Sequence, residues 1–301
     1  MRRSSQRFDP RQHMRTGDFE IFHYRDSAPG PVAIHHHDFY EVYFFLGGQV
    51  EYRVEGAVYH MEPGDLLLIS PMELHQPIVQ PDSEPYERMV LWIDRDYLES
   101  LSTGETSLTR CFDQSRPDHT NLLRLNAVQR AAVASKLDGL AREARGGDYG
   151  GALWAAGALL QLLVELNRAA LQSGGAGTAE EPSLVSRVLD YIGEHCQENL
   201  VLEDLAQRFY VSKFYLSHAF RQEVGVSVYR YVQLKRLLIA RQMLRSGTAP
   251  GVVCHSCGFG DYANFYRAFR AAYGVSPRTC QRDGEKIFHV NSPPAGSDFG
   301  E

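Results

Sequence analysis

The sequence predicts a multidomain α+β protein: a β-barrel near the N-terminus, a helical pair, then an all-α domain of two helix-turn-helix units joined by a helix. Three observations carry this expectation. Short runs of alternating apolar and polar residues, broken by turn residues, fill residues 20–100. From about residue 126 the apolar period becomes 3.6. Residues 184–283 then repeat one apolar pattern. A chain of 301 residues suffices for about two domains with ordinary cores.

Residues 1–19 begin with Arg2, Arg3 and Arg7 but have no apolar run behind them, so they read as a flexible arm, not a targeting signal. The barrel is expected over residues 20–115. Its strands include Glu41–Leu46 and Gln49–Val54 around the Gly47-Gly48 turn, Val58–Met61, Asp65–Ile69 after Pro63-Gly64, and Arg88–Ile93. The helical pair follows over residues 116–172, with helices near 126–143 and 152–171. Leu159, Leu162, Leu163 and Leu166 make a wide apolar stripe that either covers the barrel or meets its copy in a homodimer. Residues 173–183, rich in Gly, Ala and Glu, form a linker, and residues 284–301, with Pro293-Pro294, a disordered tail.

No apolar run reaches the ~18 residues of a membrane span, so no membrane partner is expected. The odd, scattered set Cys111, Cys196, Cys254, Cys257 and Cys280 describes reduced thiols in a cytoplasm, not a disulfide scaffold. The net charge of −6 argues at first against a nucleic-acid partner, but it is unevenly divided. Residues 1–183 carry 17 basic and 26 acidic side chains, net −9, whereas residues 184–283 carry 13 and 8, net +5. A basic helical module behind an acidic front half points to a polyanion for the back half alone.

Within that module Leu205-Ala206, Val211, Leu216, Phe220, Gly225 and Ser227 are echoed by Val253-Cys254, Phe259, Phe265, Phe269, Gly274 and Ser276, at offsets of 48 and then 49. Each copy has a helix-turn-helix layout. In the first, Glu203 and Asp204 sit in an opening helical turn, Ser212 is an N-cap, and the second helix turns Leu216 and Phe220 inward. Its outward residues are Lys213, Phe214, Ser217, His218 and Arg221: donors, cations and a stacking surface suited to a major groove. The second copy opens at Pro250, turns at Gly258-Phe259-Gly260, and presents Tyr262, Ala263, Asn264, Arg267 and Arg270. There Asn264 suits adenine and Arg267 suits guanine or phosphate. The joining helix, Val228 to Leu244, carries Lys235, Arg236, Arg241 and Arg245; Arg241 is assigned to a phosphate. At 1.5 Å per residue it spans about 25 Å, the order needed to hold readers in successive grooves.

The run Ser212-x-x-x-Leu216-x-x-x-Phe220-Arg221-x-x-x-Gly225, then Gly258-Phe259-x-Asp261-x-x-x-Phe265-x-Arg267-x-Phe269-Arg270-x-x-x-Gly274-Val-Ser-Pro277, resembles the DNA-binding domain of the AraC/XylS family of bacterial transcription regulators. The resemblance covers about a hundred residues, 184–283. It implies binding to asymmetric sites on double-stranded DNA, usually within a homodimer, and RNA polymerase as a partner of an activator. Pro250 and Cys254 depart from the family, which usually has Ile and Ala there.

In the front half, His35, His37 and Glu41, with a later His75, place an imidazole pair at i and i+2 on one strand face, with two further ligand types. This resembles the cupin pattern His-x-His-x-x-x-Glu…His, and so a cupin-like barrel of the kind that serves as sensor in many AraC-family proteins. The resemblance implies a small-molecule effector, often a sugar. Three roles stand open for the cluster. His35, His37, Glu41 and His75 hold a divalent metal; or the same groups, with Tyr43 and Trp92, hydrogen-bond an effector with no cofactor; or they are satisfied structural groups. Tyr40 is a further candidate lining residue. The chain therefore reads as a regulator and not an enzyme, the rival being a metal-dependent cupin enzyme with a fused helical domain. Cys254 and Cys257 read as packing residues.

Overall fold

The computed structural model describes residues 13–27, 30, 32–71, 73–80, 85–116, 119–146, 149–172 and 183–282. The chain divides into two compact units, Met1–Glu181 and Pro182–Glu301. Most of the expected arm, nearly all of the linker and the whole tail lie outside the described residues.

In the N-terminal unit, β1 (Phe19–Asp26), β2 (Tyr40–Gly47), β3 (Val50–Val54), β4 (Ala57–His60), β5 (Leu66–Ile69), β6 (His75–Val79) and β7 (Tyr86–Ile93) precede helix α1 (Arg95–Ser100) and strand β8 (Leu122–Leu123). They form one sheet in the order β1-β7-β2-β5-β8 and a second in the order β4-β3-β6. Every pairing is antiparallel. The larger sheet extends past residue 115 because β8 pairs with β5; a two-residue strand carries no alternation by which to read it. The same is true of α1, whose N-cap Asp94 accepts from Tyr97 N.

Both faces of the larger sheet are buried, and alternation assigns each residue to one of them. Val42, Phe44, Leu66, Leu68, Met89 and Leu91 face the helices. Tyr43, Phe45, Leu67, Ile69, Val90 and Trp92 face the barrel interior. Helix α2 (Ala127–Glu143) starts on a capping box in which Asn126 accepts from Val128 and Gln129 N while Gln129 accepts from Asn126 N. Helix α3 (Gly151–Gln172) packs Leu159, Leu162, Leu163 and Leu166 against Val133, Leu137 and Leu140. The helices approach closely where a Cβ at Gly139 would overlap the Trp154 ring. Asn167 of α3 accepts from Cys111 N and donates to the Leu108 and Leu163 carbonyls, tying the irregular 108–111 segment to the pair.

The C-terminal unit comprises α4 (Leu184–His195), α5 (Leu202–Arg208), α6 (Lys213–Val224), α7 (Val228–Arg245), α8 (Pro250–Ser256) and α9 (Tyr262–Tyr273). Four of these helices begin on side-chain caps: Ser183, Ser212, Ser227 and Asp261 each accept from the backbone N–H three residues on. Helices α6 and α9 both end on a left-handed glycine, Gly225 at φ 81° and Gly274 at φ 72°. The duplication is therefore physical as well as sequential: α5–α6 and α8–α9 are two helix-turn-helix units with α7 between them.

Candidate DNA-reading face and effector pocket

All five outward residues expected on α6, Lys213, Phe214, Ser217, His218 and Arg221, are exposed, as are Tyr262, Ala263, Asn264, Arg267 and Arg270 on α9. Leu216 and Phe220, and Phe265 and Phe269, are buried beneath them. Phe214 is 78% exposed, a cost in apolar surface that packing does not explain. Lys213 lies over its ring at 5.6 Å and pairs with Glu203 at 2.8 Å. On α9 the Asp261 carboxylate caps Asn264 N at 2.8 Å and also accepts from the Asn264 amide. The amide oxygen of Asn264 accepts in turn from Arg267. Both halves of the Asn264 amide are thus engaged, so its expected pairing with adenine requires these bonds to be exchanged.

One cation of α7 differs from expectation. Arg236 points inward, donating from Nε to the Cys196 carbonyl at 2.6 Å and from Nη2 to the Glu198 carbonyl at 2.7 Å, so it is a structural tie. Arg241 is partly buried, its guanidinium 4.9 Å from the Tyr273 ring centroid. Sequence reasoning missed Tyr210 and Tyr215, both exposed on the first unit. Tyr210 holds φ 57°. Its counterpart 48 residues on is Gly258, at φ 75°, which was the available signal that this turn is left-handed.

In the barrel, His37, Glu41 and His75 are buried, with one possible ligand atom from each lying within 4.8 Å of the others. His35 is outside this trio. Its segment is also not a strand: residues 32–39 make only an isolated bridge, in which His35 and His75 exchange backbone bonds at 3.0 and 2.9 Å. The His35 ring packs edgewise on His75 at 4.3 Å. Nδ1 of His35, His37 and His75 each lies 2.9 Å from a backbone carbonyl, of Ala33, Phe39 and Glu73. A carbonyl only accepts, so each Nδ1 carries its proton and, in the neutral ring, Nε2 presents a lone pair. Nε2 of His75 is buried with no hydrogen-bond partner, whereas Nε2 of His37 faces the Glu41 carboxylate at 3.3 Å.

Burial pushes His75 well below the usual imidazole value, and the neighbouring His35 and His37 act in the same direction. Burial also raises Glu41, but His37 at 3.3 Å, with His35 and Trp92, outweighs it and holds the carboxyl below its ordinary value. Trp92 Nε1 donates to Glu41 at 2.8 Å. Tyr43 does not reach the trio: its hydroxyl pairs with that of Tyr86 at 2.6 Å, and burial raises both phenols, Tyr86 to about 12. Arg88, unforeseen, is a buried cation paired with Asp26 and stacked 4.1 Å from the Tyr86 ring centroid. Cys254 and Cys257 are buried packing thiols; burial raises Cys257 to about 12.

Residues 18–163 match the model of the AraC-like ligand binding domain, and residues 205–283 match that of a helix-turn-helix domain. The chain is 25% identical over 273 residues to the HTH-type transcriptional activator RhaS of Salmonella arizonae, covering 87% of this chain and 95% of the relative; the Salmonella typhimurium protein matches equally. Among solved structures, the C-terminal domain of AraT, a response regulator from Geobacillus stearothermophilus, shares 31% identity over 35% of this chain and 88% of that one, with a TM-score of 0.33. ToxT from Vibrio cholerae shares 13% over 91% of this chain and 100% of that one, with a TM-score of 0.36.

Proposed function

The chain belongs to the AraC/XylS family of transcription regulators, and from that premise we propose that α6 and α9 read two segments of one duplex under the control of a small molecule held in the barrel. It is a sequence-specific DNA-binding regulator with an N-terminal ligand-binding domain. The observation that carries the reading is the matched pair of polar, exposed helix faces at equivalent positions of a duplicated basic module. Lys213, Phe214, Ser217, His218, Arg221, Tyr262, Ala263, Asn264, Arg267 and Arg270 form the reading faces, and Arg241 a phosphate contact.

The effector is a molecule rich in hydrogen-bond donors, a polyol or sugar being the simplest class. The support is the chemistry of the buried trio: the unpartnered His75 Nε2 and the Glu41 carboxylate are acceptors, and hydroxyl groups satisfy both. His35 and Trp92 complete the lining, and Tyr43, its hydroxyl held by Tyr86, faces the same interior. The relatives are transcriptional activators; activation, with RNA polymerase as partner, and the absence of an enzymatic role extend that property to this chain. Homodimerisation through α3 is supported by the exposed Leu153, Leu160 and Leu171 on its outer side. None of the five cysteines is in a disulfide, which suits a reducing cytoplasm. No helix among the described residues is long and apolar enough to cross a membrane.

The test is DNA affinity for fragments selected from the source genome, measured across salt concentrations. Specific binding with a steep salt dependence is expected, and Arg241→Ala should weaken matched and scrambled sites alike while reducing the salt slope by about one. A flat salt response contradicts the reading.

A second reading draws on the same side chains. His37, Glu41 and His75 suit a divalent transition metal through two nitrogens and a carboxylate, with each imidazole oriented by a backbone carbonyl. A metal there would supply a Lewis-acidic anchor for an effector oxygen. Elemental analysis of the purified protein, with His75→Ala as control, separates the two readings.

A further inference from the structure

The two helix-turn-helix units share α7, which packs Tyr231 against Phe220 of the first unit and Leu237, Ala240 and Leu244 into the core of the second. A single shared helix leaves rotation of one unit about its axis opposed only by side-chain packing. The fold contains a second connection, off that axis. The chain leaving α4, on the first unit's side, presents the carbonyls of Cys196, Gln197 and Glu198. Arg236 of α7 grips the first and third. Gly258, the left-handed residue of the second unit's turn, lies against the middle one: a Cβ there would overlap the Gln197 carbonyl oxygen and come within 3.2 Å of Arg236 Cζ.

We propose that this brace, Arg236 across the 196–198 carbonyls with Gly258 seated on Gln197, sets the rotational register between α6 and α9 and hence the half-site spacing the protein accepts. Arg236 and Gly258 are positioning residues that touch no DNA. The chemistry requires these residue types. A guanidinium is a planar fork that reaches two carbonyls at once, which an ammonium does not match. A glycine at 258 serves both the positive φ and the close approach. The link to reading is short: Gly258 lies three residues before Asp261, the N-cap of α9, so a displaced turn re-aims that helix. The proposal rests on the reading that both units contact one duplex, and its test separates the two.

The experiment uses the full chain and an operator that the wild-type protein selects from random-sequence DNA. Affinity is measured for that operator, for versions with one base pair inserted or deleted between the half-sites, and for versions with either half-site scrambled. One base pair turns the second half-site by about a tenth of a helical turn, so wild-type affinity should fall about tenfold or more on either spacing change. Arg236→Met, and independently Gly258→Ala, should lose about tenfold on the selected spacing and bind the three spacings within about threefold of one another, while binding to half-scrambled DNA changes less than about twofold. Arg236→Lys should resemble Arg236→Met in spacing preference, and it decides the matter if the methionine variant does not fold. Undiminished spacing preference in Arg236→Lys or Gly258→Ala overturns the proposal, as does an equal loss on every DNA. If scrambling one half-site leaves wild-type affinity unchanged, the two-reader premise itself fails.

Discussion

Trp92 donates its indole N–H to the Glu41 carboxylate at 2.8 Å inside the barrel, where His37 Nε2 approaches the same carboxylate at 3.3 Å. Glu41 is thereby fixed in orientation and anchored to β7, beside which β2 runs in register, Glu41 opposite Trp92. Removing the donor leaves a buried carboxylate short of one partner, a loss of about 1–3 kcal/mol. Trp92→Phe should therefore lower the thermal midpoint and abolish the effector response while leaving effector-free DNA affinity near wild type. In a Trp154→Phe background Trp92 is the sole indole, and its fluorescence should change on titration with a candidate polyol. An unchanged effector response in Trp92→Phe removes this pair from the sensing site.

Asp261, Asn264 and Arg267 form one chain of hydrogen bonds on the exposed face of α9. Asp261→Ala removes an N-cap worth about 1 kcal/mol and also frees the Asn264 amide. Asn264→Ala should change base preference at particular positions by ~1–3 kcal/mol, as should His218→Ala on α6. Competition binding against single-base operator variants reads both effects. Equal losses on matched and scrambled sites would show that these helices do not read bases.

Tyr210 is 96% exposed and sits in the left-handed region, which costs about 1–2 kcal/mol for a residue with a Cβ. Tyr210→Gly should relieve most of that cost and raise the midpoint of urea unfolding. Gly258→Ala should do the opposite, since a side chain there meets both positive φ and the Gln197 carbonyl. A destabilised Tyr210→Gly variant would mean that the tyrosine side chain makes a contact holding the turn.

Leu153 and Leu160 lie one heptad apart on α3 and are exposed, Leu153 by 82%. Apolar side chains at this spacing on one helix suit a packed seam with a second copy. Leu153→Asp with Leu160→Asp should convert a dimer to a monomer in sedimentation analysis without changing helix content by circular dichroism. A wild-type chain that sediments as a monomer at micromolar concentration would exclude the seam.

Much of this architecture is legible in the residues because local rules and tertiary packing agree. Asn126 with Gln129, Ser212 and Asp261 announce helix starts by chemistry that needs no tertiary context. The apolar repeat places Leu216 with Phe265, and Phe220 with Phe269, in equivalent buried positions. What escaped depends on distant partners. β8 exists only because β5 offers an edge. Arg236 looks like any helix-surface cation until the 196–198 carbonyls arrive beside it. His35 shares the spacing of a ligand pair, but a backbone bridge to His75, not a continuous strand, sets its place. Asn264 has the right side chain for adenine, and only three-dimensional proximity reveals that Asp261 and Arg267 already hold it.

Reading by two units requires α6 and α9 to lie on one duplex together. Hydroxyl-radical footprinting of the full chain on its selected operator tests this most directly. Two protected patches on one face of the DNA are expected, about 10 base pairs apart, with Arg221→Ala weakening one and Arg270→Ala the other. A single patch that both substitutions weaken equally, or protection on opposite faces of the duplex, would contradict it.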